Sequence, residues 1–224
     1  MESSVKHCII NASDGNKWYP KGTKRLVKSL VYHGFSGDIL TWEYWPNNEW
    51  DKTNPYHVKL CAFEEAIKLG YTHILWLDCS VWAIKNPDPI FDLINSSGYY
   101  MWSSGYNCAQ VCSDSCLEYF KISRDQAEKI PDCSSSMIGL NLDNPIASQF
   151  INRWVHSASM GQFYGSRQHD NQSQDPRFLF HRQDQSCASI IAHSLGMQLT
   201  PPNIYSSYYI TEQKESVIFT MRGM

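Results

Sequence analysis

Asp78 closes the run His73-Ile74-Leu75-Trp76-Leu77, an apolar stretch bounded by turn signals. Such a run reads as a strand covered on both faces. In an open α/β sheet, ligands gather just beyond the carboxyl ends of such strands. A carboxylate placed there can grip a divalent cation. The plainer alternative is an Asp that caps the following turn. Three other groups have chemistry-bearing residues. Asn11-Ala12-Ser13-Asp14 follows the first apolar run, with Tyr19 shortly after. Lys59 opens a helical pattern, where it could equally be a solvated face residue. Asp184-Gln185 follows the most polar stretch of the chain and opens another helix, a position that also suits ordinary capping.

The elements that must position these residues alternate. Val5 to Asn11 reads as a strand, with His7, Cys8, Ile9 and Ile10 as its core, ending in turn chemistry. A helix is predicted over Thr23 to His33, with Leu26, Val27, Leu30 and Val31 inward and Lys24, Arg25 and Lys28 outward. Asp38 to Trp42 is a second strand, and Lys59 to Leu69 a helix with Ala62, Phe63, Ala66 and Ile67 on one face. Gly70 stands where glycine ends a helix. Asn86-Pro87-Asp88-Pro89 precedes a short helix, Ile90 to Ile94. Alternation of this kind gives the start of a parallel sheet.

Beyond it, Gly98 to Ser103 reads as a strand, and residues 104–132 as a polar insert with helices over Ser115 to Phe120 and Arg124 to Ile130. Met137 to Leu142 reads as a strand approached by Cys133-Ser134-Ser135-Ser136. Pro145 to His156 is an amphipathic helix with Ile146, Phe150, Ile151 and Trp154 on one face. Residues 161–177 read as a mobile loop. Ser186 to Leu195 is a helix, and Val217 to Thr220 a last strand. The segment Trp42 to Trp50 is dense in rings. It is either a loop packed on the domain or a wall for an acceptor sugar, whose apolar face lies well on an aromatic ring.

The chain of 224 residues suits one domain. A net charge of −3 offers no electrostatic case for nucleic acid or an anionic membrane. No apolar run reaches membrane-spanning length. The polar start MESSVKHC reads as neither signal peptide nor anchor, so a cytoplasmic protein with free thiols is expected. Of eight cysteines, Cys108, Cys112 and Cys116 recur every fourth residue and would share one helix face. A zinc site would need further His or Cys partners.

The strand ending in Leu77-Asp78-Cys79-Ser80, followed by a proline-punctuated helix and preceded by the Tyr56-x-x-Lys59-x-x-Ala62 helix, resembles the DxD region of GT-A-fold glycosyltransferases. The resemblance is to the glycogenin and lipopolysaccharide galactosyltransferase group and to the small glycosyltransferases of large algal viruses. It extends in chain order from Asn11 to Gln185, through the Ser-Ser-x-Ile-Gly-Leu-Asn strand.

It implies an α/β fold, GT-A-like or Rossmann-like. A mixed, mostly parallel sheet would be flanked by helices in a single domain over residues 1–224. The implied activity is that of a hexosyltransferase-like enzyme moving a sugar from a nucleoside-diphosphate sugar, UDP-linked, to a glycan or other hydroxyl acceptor. Mn²⁺ or Mg²⁺ is the implied cofactor. In this DxD-like motif Asp78 and Ser80 would meet the metal and the nucleotide, although Ser80 replaces the second acid. The galactosyltransferase group's C-terminal His-bearing motif has no match here, and Arg222, near the end of the chain, could serve instead as a cationic substitute for part of the ion's role. Asn11, Ala12, Ser13, Asp14 and Tyr19 would hold the nucleoside, and Lys59 a phosphate or the base. Asp184 and Gln185 would act at the sugar and the reacting centre.

Two rival readings stand beside this one. The missing acid invites a catalytically inactive, lectin-like protein that binds a sugar nucleotide without turnover. A phosphatase-like enzyme with Asp78 as nucleophile would want an acid two residues on, where Ser80 stands.

Overall fold

The computed structural model describes residues 6–13, 15, 18–164, 173–208 and 215–222. The chain divides into two compact units. The first comprises Met1–Tyr100, Ser136–Ser148 and Pro201–Met224, and the second Met101–Ser135 and Gln149–Thr200.

In the first unit, β1 (His7–Ala12) lies between β2 (Asp38–Trp42) and β3 (His73–Leu77), parallel to both. Parallel neighbours need crossovers. Here these contain α1 (Tyr19–Tyr32) and α2 (Val58–Lys68), the latter entered through a 3₁₀ turn at Pro55–His57. β3 is buried at every residue, as a doubly covered strand must be. After the short β4 (Val81–Ala83) and α3 (Asp88–Ser97) come β5 (Tyr99–Asn107) and β6 (Pro131–Asn141). The strand order is β2-β1-β3-β6-β5, with β6 antiparallel to β3 and Leu75 opposite Gly139. The result is a mixed sheet flanked by helices, the expected fold class. Near the C-terminus, β7 (Ser206–Ser207) and β8 (Phe219–Met221) join β4 in a second sheet, which the sequence pattern showed only at its last strand.

Several expectations need correction. α1 starts at Tyr19 rather than Thr23, with proline in its first turn, where the missing N–H costs nothing. Its buried line is Gly22, Leu26 and Leu30. Val31 is 67% exposed because one residue step turns a helix by roughly 100° away from that line. Ile67 and Ile146 are exposed for the same reason. The ring-rich loop packs on α2: Trp50 Nε1 donates to Glu64 at 2.9 Å and Asn47 to Glu65 at 3.1 Å, while Tyr44 faces solvent.

The second unit contains α4 (Cys108–Val111), α5 (Asp114–Phe120), α6 (Arg124–Ala127), most of α7 (Pro145–Ser159) and α8 (Asp184–Ser194). Cys108, Cys112 and Cys116 do not share one helix. Cys112 is extended, and the Ser113 side chain caps a new helix by accepting from Cys116 N–H. Capping chemistry overrode the spacing. β6 begins at Pro131, not Met137, although its first half is small and polar. Side chains of α8 satisfy that stretch: Ser189 Oγ accepts from Cys133 N–H and Gln185 Oε1 from Ser135 N–H. Asp132 is wholly buried and accepts from Ser104, Ser189 and Gln185 side chains. Burial pushes its carboxyl up to about 6, against the pull of those three donors. Of the loop expected over 161–177, residues 165–172 lie outside the described residues; within the rest, Phe163 is buried against Trp154.

Two stability measurements follow from this packing. A Cβ added at Gly22 would lie 2.3 Å from the Cys79 carbonyl oxygen and 2.9 Å from the Trp18 ring. Overpacking of that kind costs about 1–3 kcal/mol, against about 1 kcal/mol gained in helix propensity. Gly22→Ala is therefore expected to lower the urea midpoint, and a raised midpoint would contradict this packing. Asp132 has a folded pKa of about 6 against an unfolded value of about 3.9. The folded form keeps a proton that the unfolded form releases, so stability falls as pH rises through that window, by on the order of 3 kcal/mol. Urea titrations across it should show the fall in the wild type and a much flatter profile in Asp132→Asn; equal slopes would remove Asp132 as the cause.

Candidate functional site

In the first unit the chain leaves β3 at Asp78. The Asp78 N–H donates to Ser136 O at 2.8 Å, and its carbonyl accepts from Val81 N–H at 2.9 Å. The turn is thus closed by backbone, and the carboxylate is available for other work. Its Oδ1 accepts from Trp76 Nε1 at 2.7 Å and lies 3.4 Å from Lys59 Nζ. The Lys59 side chain is only 9% exposed, whereas that of Asp78 is 33% exposed. Lys59 Nζ is also 5.7 Å from the Trp76 ring centroid. One indole therefore touches both members of the ion pair, donating to the acid at its edge and attracting the cation to its face. The pair forms because α2 lies against β1 and β3, with Lys59 in its first turn.

Around this pair the strand end is braced. Asn11, fully buried in β1, donates through Nδ2 to Leu77 O at 2.7 Å, and its Oδ1 accepts from Thr23 Oγ1 at 2.7 Å. Its amide thus holds the protein together rather than facing a ligand. The Ala12 carbonyl accepts from the Cys79 thiol, and Ser13 N–H donates to Trp42 O. Tyr19 opens α1, half-buried against Trp18. Asp14 lies outside the described residues. Arg25, read from the sequence as an outward helix residue, turns back. Its Nη2 donates to Ser80 O at 2.9 Å and Cys79 O at 3.3 Å, and its guanidinium lies 4.1 Å from the Trp82 ring centroid. Burial lowers its pKa. The Arg222 N–H donates to Ser80 O at 3.1 Å, and its carbonyl accepts from Arg25. The signal for Arg25 was present but indirect: Gly22, one turn earlier, lets α1 approach Cys79 closely.

These donors do not make a divalent-cation site. Hard cations want several oxygen ligands, with carboxylates foremost. Residues 78–80 offer one carboxylate, and one of its oxygens already receives an indole N–H and an ammonium. Ser80 adds a neutral hydroxyl. Among the described residues, no group of three or more His, Cys, Asp or Glu side chains is arranged to hold a metal.

Asp184 and Gln185 open α8 in the second unit. Gln183, just before them, has φ +47° and ψ −113°, a strained backbone for a residue with a Cβ. Asp184 is 2% exposed, and its carbonyl accepts from Trp154 Nε1 at 2.9 Å. The Gln185 amide is engaged inside the protein, receiving Ser135 N–H at 3.2 Å and donating to Asp132 at 2.6 Å. Gln185 is thus tied to a buried acid that sequence reasoning did not single out. The same unit contains a cleft of about 370 Å³ lined by Ser113, Ser115, Met160, Gln162, Tyr164 and His181. His181 Nδ1 accepts from Ser113 N–H, which assigns the ring proton to Nε2.

No protein-family model matches the chain, and no curated protein does. Solved structures do. The apo form of mouse xyloside xylosyltransferase 1 aligns with a TM-score of 0.53 at 10% identity, over 97% of this chain and 97% of its own. The glycosyltransferase GlyE of Streptococcus pneumoniae TIGR4 aligns with a TM-score of 0.46 at 12% identity, over 88% of this chain and 45% of its own. A glycosyltransferase involved in glycosylation of the major capsid of PBCV-1 gives 0.45 at 13% identity, over 96% and 93%. At such identities the likeness is one of fold. On the first of these alignments, the chain has the mixed α/β fold of a known glycosyltransferase structure.

Proposed function

We propose that the chain is a glycosyltransferase taking a sugar from a nucleoside-diphosphate donor, UDP-linked, to a hydroxyl of a glycan, as a single catalytic domain. The observation that carries this reading is the Asp78 carboxylate at the carboxyl end of a central parallel strand. It is not used to close its own turn, and it is paired with a nearly buried lysine. A departing diphosphate needs its growing negative charge met by fixed positive charge, and Lys59 offers it. Ala12, Ser13, Asp14 and the Tyr19 ring take the nucleoside, with Asn11 bracing the strand end beside them. Asp184 acts at the sugar, stabilising the oxocarbenium-like carbon or taking the acceptor's proton. Gln185 positions it. The uncharged, hydroxyl-rich cleft of the second unit, with the exposed Tyr164 ring at its edge, supports a neutral sugar as acceptor.

The resemblance implies Mn²⁺ or Mg²⁺ at Asp78 and Ser80; the donor set found there does not support it. Eight free and buried cysteines support a reducing compartment such as the cytoplasm. No helix among the described residues is long and apolar enough to cross a membrane.

Two variants test the roles. Asp78→Ala removes the negative charge beside the Lys59 ammonium and is expected to tighten UDP binding by calorimetry by about fivefold or more. An unchanged affinity would take Asp78 out of the site. Asp184→Asn is expected to keep donor affinity but slow sugar transfer by about 10²-fold or more. Wild-type turnover in that variant would remove Asp184 from the reaction. A protein that binds UDP-sugar tightly yet neither transfers nor hydrolyses it would support the lectin-like alternative instead.

A further inference from the structure

We propose that the donor site is metal-independent. Lys59, with Arg25 at the same strand end, does the work of a divalent cation on the leaving diphosphate. The inference rests on the glycosyl-transfer reading and concerns the same strand end. Its starting point is charge. Residues 78–80 carry one carboxylate, Asp78. Lys59 pairs with that carboxylate, Arg25 holds the carbonyls of Cys79 and Ser80, and Arg222 bonds Ser80 through its backbone. The Lys59 ammonium and the Arg25 guanidinium are thus both fixed at a strand end that carries one carboxylate. A second carboxylate at position 80 would lower the positive charge there, and Ser80 does not.

The geometry argues the same way. A cation approaching Asp78 Oδ1 meets an ammonium already 3.4 Å from it and an indole N–H at 2.7 Å. Like charges at that range repel by several kcal/mol at the effective dielectric of a protein surface, by order of magnitude. Lys59 is also held in place. Its side chain is 9% exposed, with Asp78 and the Trp76 face fixing the ammonium. A preorganised charge of this kind needs no rearrangement when the phosphate charge develops. Arg25 is restrained between the Trp82 ring and the two strand-end carbonyls.

The step balances without a metal. The anomeric C–O bond breaks, and its electron pair stays on the diphosphate oxygen beside the Lys59 ammonium. The acceptor hydroxyl oxygen supplies the pair for the new C–O bond. Its proton ends on the released diphosphate.

The test is calorimetric titration of UDP into the full chain in EDTA, and again in Mn²⁺ after removal of chelator. Affinities within about threefold of each other are expected, because the fixed cations already complement the phosphates. Binding only in Mn²⁺ would overturn the inference and leave glycosyl transfer standing. Absence of binding in both conditions, with the chain folded by circular dichroism, would overturn both. Lys59→Gln should weaken binding in EDTA about tenfold or more, and wild-type affinity in that variant would contradict the assignment. Because Lys59 is nearly buried, Ser80→Asp gives a readout that leaves the lysine in place. A restored second acid should weaken binding in EDTA and make Mn²⁺ tighten it about tenfold; an unchanged Mn²⁺ response would count against the inference.

Discussion

A lysine ammonium and an aspartate carboxylate held 3.4 Å apart against one indole are the interaction on which the first unit's chemistry depends. Removing two charges from water is expensive, and a half-buried pair returns little net stability. A fold that keeps such a pair does so at a cost. Here the cost is reduced by Trp76, which donates to the acid and offers its face to the cation. The pair is set at the carboxyl end of β3, with one partner on the strand's exit and the other on the first turn of α2. Its geometry is therefore fixed by helix-on-sheet packing rather than by a loop. That makes it suited to meeting charge that appears only as a bond breaks.

The surrounding elements serve that placement. Asn11 ties the strand end to β1 and to α1 through Thr23. Gly22 lets α1 approach the Cys79 carbonyl, which brings Arg25 to the same backbone. The small sheet of β4, β7 and β8 draws Arg222 back from the far end of the chain to Ser80. In the second unit the comparable hub is Asp132, a buried acid gripping Gln185 and Ser189 from α8. Gln185 at the start of that helix is held by the hub, and the strain at Gln183 marks the entry to the Asp184 turn.

The parts of this arrangement legible in the sequence were those written in local pattern. The run from His73 to Leu77 could hardly be anything but a covered strand, and Asp78 stands at its end. The alternation from β1 to β3 carried the fold class. What the sequence did not show is long-range. Arg25 looks like any polar helix residue until Gly22 and Cys79 are in contact. The stretch from Cys133 to Ser136 looks like a loop because its hydrogen-bond partners come from α8, some fifty residues on. Asp132 gives no sign of burial in a polar context. Asn11 stands near the strand end, and the bonds of its amide to Leu77 and Thr23 were not legible in the sequence. The missing second acid was visible from the start; its meaning became readable only once the lysine and the arginine were found beside it.

The most direct measurement is a structure of the chain with UDP bound in the presence of chelator. The account requires the diphosphate to lie within hydrogen-bond distance of Lys59 Nζ, beside Asp78, with no ion between them. A diphosphate bound elsewhere on the protein would contradict it.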